Sequence, residues 1–141
     1  MQAAGKKQGR EEVITADQIL AHAIGDYIAQ SDWMANEKTK RSFAAICHAL
    51  SYGLPFLWFR PSITAMAVIV LSHFAIDRWR LARYVVWAKN QLAPKAWRYP
   101  WADCNATGYH KDRPAWLSVW LLIIADNILH VVINGLALMW L

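Results

Sequence analysis

The 141 residues suffice for one domain. Their hydrophobic share, 57%, exceeds the roughly 45–50% of ordinary soluble domains, and nine Trp add side chains that favour membrane–water interfaces. A formal charge of +5 suits nucleic acid or an anionic bilayer; the apolar runs point to membrane lipids, no nucleic acid is expected, and two cysteines exclude a disulfide framework.

Residues 1–14 read as a flexible polar tail, with no cleavable signal peptide expected, ahead of a single membrane-embedded helical domain over 15–141. "TADQ" at 15–18 predicts a capping box, with Thr15 capping and Gln18 reaching back. The helix it opens extends to about Gln30, carries His22, Asp26 and Gln30, and is too short and too polar to cross a bilayer. It is expected to be interfacial or re-entrant. Asp32 is a candidate cap for the second helix, whose apolar part is 43–59, and "RPS" at 60–62 predicts a tight reversal. A third helix is expected over 62–86, its apolar core ending at Asp77, with Arg78, Arg80 and Arg83 reaching outward. Residues 87–114 mix Trp, Tyr, Lys, Arg and Pro and read as a loop on the membrane surface. The last run, 115–141, is the strongest spanning signal.

The expected fold is therefore all-α: an integral membrane helical bundle with about three spanning helices plus the interfacial one. Basic residues cluster in 31–42 and 78–114, while the opposite side holds only Arg60. The excess of Lys and Arg places the long basic loop in the cytoplasm and the C-terminus outward, in a bacterial inner membrane.

Ionisable side chains recur inside the apolar runs. His22 and Asp26, His73 and Asp77, and Asp126 and His130 each stand four apart, on one face of a regular helix, and His48 has Tyr52 one turn on. An ionised carboxylate at the centre of a membrane costs about 2.5–3.5 kcal/mol on insertion scales. Convergence on a divalent metal offsets that cost, because the ion neutralises carboxylates and uses imidazole lone pairs. The candidate ligands are His22, Asp26, His48, His73, Asp77, Asp126 and His130. Seven groups exceed the needs of one tetrahedral zinc, so two ions, or one ion with carboxylates orienting its histidines, are expected; Zn, Mn and Fe all fit mixed N/O ligands. Asp26, Asp77 and Asp126 are the candidate catalytic groups. For any single pair, a hydrogen bond tying two helices is an equal reading. Gln30 and Lys38 are candidate substrate contacts, although Lys38 reads first as an ordinary cytoplasmic-side charge. Asn127 and Asn134 are expected to bond between helices, Cys104 and His110 form at most a weak metal pair, and the sequon at 105–107 has no meaning on the cytoplasmic side.

The order of His22/Asp26, Asp32-Trp33-Met34 with Lys38, His48/Tyr52, His73/Asp77 and Asp126/His130 resembles a family of small phage and bacterial membrane proteins of unknown function. The resemblance covers roughly 17–135. The set is also similar to predicted membrane-bound metal-dependent hydrolases, which share His/Asp pairs in apolar helices. It implies a hydrolase acting on a lipid or other phosphoester-type substrate. Two further readings stand beside it: an ion or proton transport or relay protein, which would need to self-associate, and a non-enzymatic phage membrane protein binding a host membrane partner.

Overall fold

The computed structural model describes residues 13–141, so most of the expected 1–14 tail lies outside the described residues. The chain is all-α, with no strand among the described residues.

Helix α1 spans Ala16–Ala23. It starts at the expected capping box: the Gln18 amide donates to Thr15 Oγ1 and the Thr15 amide to Gln18 Oε1, each at 3.3 Å. The chain then widens into a π-helical turn, Ile24–Ile28, closed by the Ala29 amide on the Ile24 carbonyl at 2.8 Å. Helix α2 is Asp32–Glu37, and its cap is Ser31, whose Oγ accepts from the Met34 amide; Asp32 is the first helical residue, not the expected cap. Helix α3, Ser42–Gly53, continues as a 3-10 helix over Leu54–Phe59, where Pro55 removes a backbone donor. Arg60, in the left-handed region at φ 48°, ends it, and Ser62 caps α4 by accepting from the Ala65 amide at 3.0 Å.

The third expected helix, 62–86, is two helices: α4, Ile63–Trp79, and α5, Ala82–Asn90. Arg80 sits at φ 53°, its amide bonds the Asp77 carbonyl, and the Leu81 amide bonds the Ile76 carbonyl. That pair of bonds is a Schellman stop, here without glycine. The region expected as a loop, 87–114, holds the end of α5, a 3-10 turn at Lys95–Trp97 and the short α6, Trp101–Cys104, before α7 runs over Ala115–Trp140. It is pinned to α5: Arg83 donates to the Asn105 carbonyl, Trp87 Nε1 to the Tyr99 carbonyl, and Tyr84 stacks on Trp101.

Among the described residues, two helical stretches, not three, are long and apolar enough to cross a membrane: Ser42–Phe59 and α7. The stop at Arg80 cuts the third short; α4 has 17 residues, about 25 Å of helix at 1.5 Å each. Helix α4 packs between α3 and α7, and α1 and α5 lean on α7. Small residues permit close approach: Ala44, Ala45 and Ala49 of α3 are buried, and Gly53 faces Val70 of α4. Beside an apolar cluster that includes Tyr52, Phe56, Ala65 and Ile69, the interior holds an unusual set of polar side chains. His48, His73, His130 and Asn134 are at most 2% exposed, while Leu50, Trp58, Ile63, Leu71, Trp120 and Ile128 lie on the outside.

Candidate metal centre

The residues that crowd the centre of the bundle come from five separate elements. Helix α3 supplies His48 and Tyr52, α4 supplies His73 and Asp77, α7 supplies Asp126 and His130, the π-turn supplies Asp26, and the residue ending α2 supplies Lys38. Two groups of ligand-type atoms result, each with its atoms within 4.8 Å of one another. The first is Asp26, His48, His73 and Asp77, all buried; the second is Asp77, Asp126 and His130.

The first group is crowded around one point. Nε2 of His48 lies 3.2 Å from Asp26 Oδ1, 3.2 Å from Asp77 Oδ2 and 2.9 Å from His73 Nε2. A ring nitrogen carries one hydrogen or one lone pair, so these approaches cannot all be hydrogen bonds. Lys38 Nζ stands 2.7 Å from Asp77 Oδ2 and 3.1 Å from His48 Nε2. Even so, Asp77 Oδ2 has no aligned hydrogen-bond donor, and His48 Nδ1 has no partner. Buried, crowded and incompletely hydrogen-bonded N and O donors fit a divalent cation, whose binding is non-directional beyond its coordination number.

Asp77 belongs to both groups. Its Oδ2 faces His48 and His73, while its Oδ1 faces His130 Nε2 at 3.3 Å. Asp126 Oδ2 approaches the same His130 nitrogen at 3.4 Å and is the more open carboxylate, 27% exposed. His73 and His130 also meet through their Nδ1 atoms at 3.2 Å. Tyr52 lies flat on His73, ring centroids 3.6 Å apart and planes 8° apart, which fixes that imidazole from one side. Burial alone would raise the Asp26 carboxyl, but the His48 hydrogen bond and the Lys38 charge hold it below the ordinary carboxylate value.

Among the expected ligands, His22 is not brought to either group. Its Nδ1 meets the Tyr52 hydroxyl at 2.8 Å and its Nε2 meets Asn127 Oδ1 at 2.6 Å. Asn134 Nδ2 donates to the same hydroxyl at 2.6 Å, so the phenol proton goes to His22 Nδ1 and His22 donates from Nε2. Burial lowers the His22 pKa despite the Asn127 bond, in keeping with a neutral ring. Cys104 and His110 join no metal-type group among the described residues; the His110 ring packs on Tyr99.

A cleft of about 220 Å³ opens onto the carboxylates. Asp26, Asp77 and Asp126 line it, with Lys38, Arg80 and Gln30 around them. Gln30 Oε1 has no hydrogen-bond partner. Both expected substrate contacts, Gln30 and Lys38, therefore border the cleft, and Arg80, Tyr27 and Asn127 are lining residues that sequence reasoning missed. Their signal was adjacency: Tyr27 and Asn127 directly follow Asp26 and Asp126.

A family described as a protein of unknown function, DUF3307, matches residues 14–140. The chain belongs to the DUF3307 family. No curated protein and no solved structure matches it. The match takes in every group of the centre, from Asp26 to His130, and the hydrogen-bonded His22 and Asn134 beside it, so in this DUF3307 chain the whole polar interior lies within the family's extent.

Proposed function

We propose that the chain is a membrane-embedded, metal-dependent hydrolase of phosphoesters, lipid-borne ones in particular. The observation that carries the reading is the sharing of Asp77: one buried carboxylate turns its two oxygens toward two clusters of ligand atoms. Asp26, His48, His73 and Asp77 would hold one ion, and Asp77, Asp126 and His130 would hold a second. Divalent ions held there would supply Lewis-acid activation of water and of phosphoryl oxygens. Asp126, the half-open carboxylate at the cleft, is placed to take a proton from water. Lys38 and Arg80 border the same cleft and would bind the anionic oxygens of the substrate. The aliphatic exterior of α3, α4 and α7 supports insertion in a bilayer; Arg78 donates to the Thr39 carbonyl, so 31–42 and 78–114 share a side, and their excess of Lys and Arg assigns that side to the cytoplasm of a bacterial inner membrane.

The test is elemental analysis of the full chain purified in detergent, joined to phosphate release from phospholipid and isoprenoid phosphoesters. One or two equivalents of Zn, Mn or Fe and chelator-sensitive turnover are expected, both lost in Asp77→Asn. Turnover that persists in metal-stripped protein overturns the reading. If Asp77→Asn unfolds while no substrate is ever cleaved, a structural metal is the better account.

A further inference from the structure

The cleft has an apolar neighbour. Between α1 and α7 runs a groove of about 550 Å³, and Tyr27 and Asn127 line both it and the carboxylate cleft. On α7 the groove is formed by Ile124, Ile128 and Val132, a stripe four residues apart on one face. On α1 it is formed by Ile19 and Ala23. Ile19, Ile124 and Ile128 are 49%, 50% and 56% exposed, so no other part of the described chain covers them.

The lining changes character in one direction. Asp26, Lys38, Asp77, Arg80 and Asp126 are charged and surround the cleft. At the threshold, the groups are neutral and bonded to one another: His22 Nε2 to Asn127 Oδ1 at 2.6 Å, and Asn127 Nδ2 to the Tyr27 hydroxyl at 2.6 Å. Beyond them the lining is aliphatic. A charged chamber, a neutral polar sill and a hydrocarbon-lined channel match an amphiphile with an anionic head and an alkyl tail. The short α1 leaves that channel open sideways, since eight residues reach only about 12 Å along α7.

We infer that the α1–α7 groove seats the first part of the hydrocarbon chain of a lipid phosphoester whose head lies in the metal cleft, so that substrate enters laterally over the Tyr27–Asn127 sill. The inference rests on the hydrolase reading for the identity of the head, and on the groove's continuity with the cleft for the tail. It places chain recognition on residues that take no part in holding metal.

The probe is phosphatidic acid carrying a diazirine on an acyl carbon near the carbonyl, photolysed with the full chain in phosphatidylcholine nanodiscs. Labelling is expected on residues 19–27 and 124–132. Excess unlabelled phosphatidic acid should reduce it at least tenfold, while diacylglycerol and glycerol 3-phosphate, each lacking one half of the amphiphile, should not. Ile128→Trp should fill the groove and abolish the label while metal content stays at the wild-type level; Ala23→Leu, a smaller intrusion, serves if that variant fails to fold. Label spread evenly over the exposed faces of α3, α4 and α7, or equal competition by diacylglycerol, overturns the groove. Groove-specific labelling of a chain that holds no metal and releases no phosphate supports the lipid site and removes the hydrolase reading instead.

Discussion

The ammonium of Lys38 lies 2.7 Å from Oδ2 of Asp77, inside a ring of carboxylates and imidazoles. Asp26 Oδ1 is 3.7 Å away on the other side. Lys38 therefore offsets two carboxylates that stand close together in a place with little water. Breaking such a pair leaves uncompensated charge, which costs roughly 3–5 kcal/mol when burial is complete. With Lys38 at 18% exposure, Lys38→Met should lose about 2–3 kcal/mol in chelator. Added Zn or Mn should restore most of it, since either ion offsets the same carboxylates. Lys40→Met is the control: Lys40 pairs with Glu37 at 3.3 Å but is 65% exposed, so its loss should stay within about 0.5 kcal/mol. Thermal unfolding in detergent, with and without metal, reads both.

His22 and His48 should separate cleanly. His48→Ala removes a nitrogen at the centre of the first ligand group, and bound metal should fall at least tenfold. His22→Gln removes a ring whose two nitrogens serve Tyr52 and Asn127. Metal stoichiometry should be unchanged, with a stability loss of about 1–3 kcal/mol from the disturbed hydrogen bonds. Equilibrium dialysis against radioactive or isotopically labelled Zn decides. Metal loss in His22→Gln would return His22 to the ligand set.

How much of this was legible in sequence depends on backbone regularity. His73 with Asp77, and Asp126 with His130, lie on regular α-helix, and four-residue spacing put each pair on one face as expected. His22 and Asp26 have the same spacing, but Asp26 sits inside the π-turn Ile24–Ile28 and His22 before it. The extra residue per turn swings Asp26 toward His48 and leaves His22 against Asn127. Nothing in "HAIGDYI" marks a π-turn. Arg80 was equally hidden, because a Schellman stop with Arg in the left-handed region lacks the usual glycine, and so α4 and α5 read as one helix. In the polar stretch 31–41 Lys38 reads as a cytoplasmic-side charge; only the fold shows two carboxylates drawing it inward.

Gly25 explains how the π-turn comes close enough to deliver Asp26. A Cβ at this position would stand 2.8 Å from the Tyr52 carbonyl oxygen and 2.8 Å from its Cδ2. The carbonyl belongs to α3 and cannot step aside, so Gly25→Ala should force the π-turn outward. The expected cost is about 1–3 kcal/mol, with a weaker metal site because Asp26 moves with the turn. At Gly53 the close atoms are the ends of Val70 and Met66 side chains, which can rotate. Gly53→Ala should therefore cost less and leave metal affinity unchanged. A comparison of Zn affinities for the two variants tests the assignment, and equal affinities would refute it.

Tyr52 has two separable roles. Its ring covers His73 at 3.6 Å, and its hydroxyl joins Asn134 to His22. Tyr52→Phe keeps the first and removes the second. The Asn134 amide and His22 Nδ1 then lose a partner in a fully buried setting, at a cost of about 1–3 kcal/mol. Metal binding should survive, because neither stranded group belongs to the ligand clusters. Tyr52→Leu removes both roles. The stack is replaced by a smaller, non-planar side chain, His73 gains freedom to rotate, and metal affinity should fall as well as stability. The decisive comparison is the ratio of Zn affinities, Phe variant to Leu variant, measured at a temperature where both are folded. A ratio of at least tenfold is expected if the aromatic face orients the ligand, and a ratio near one would mean that the bundle holds His73 without it.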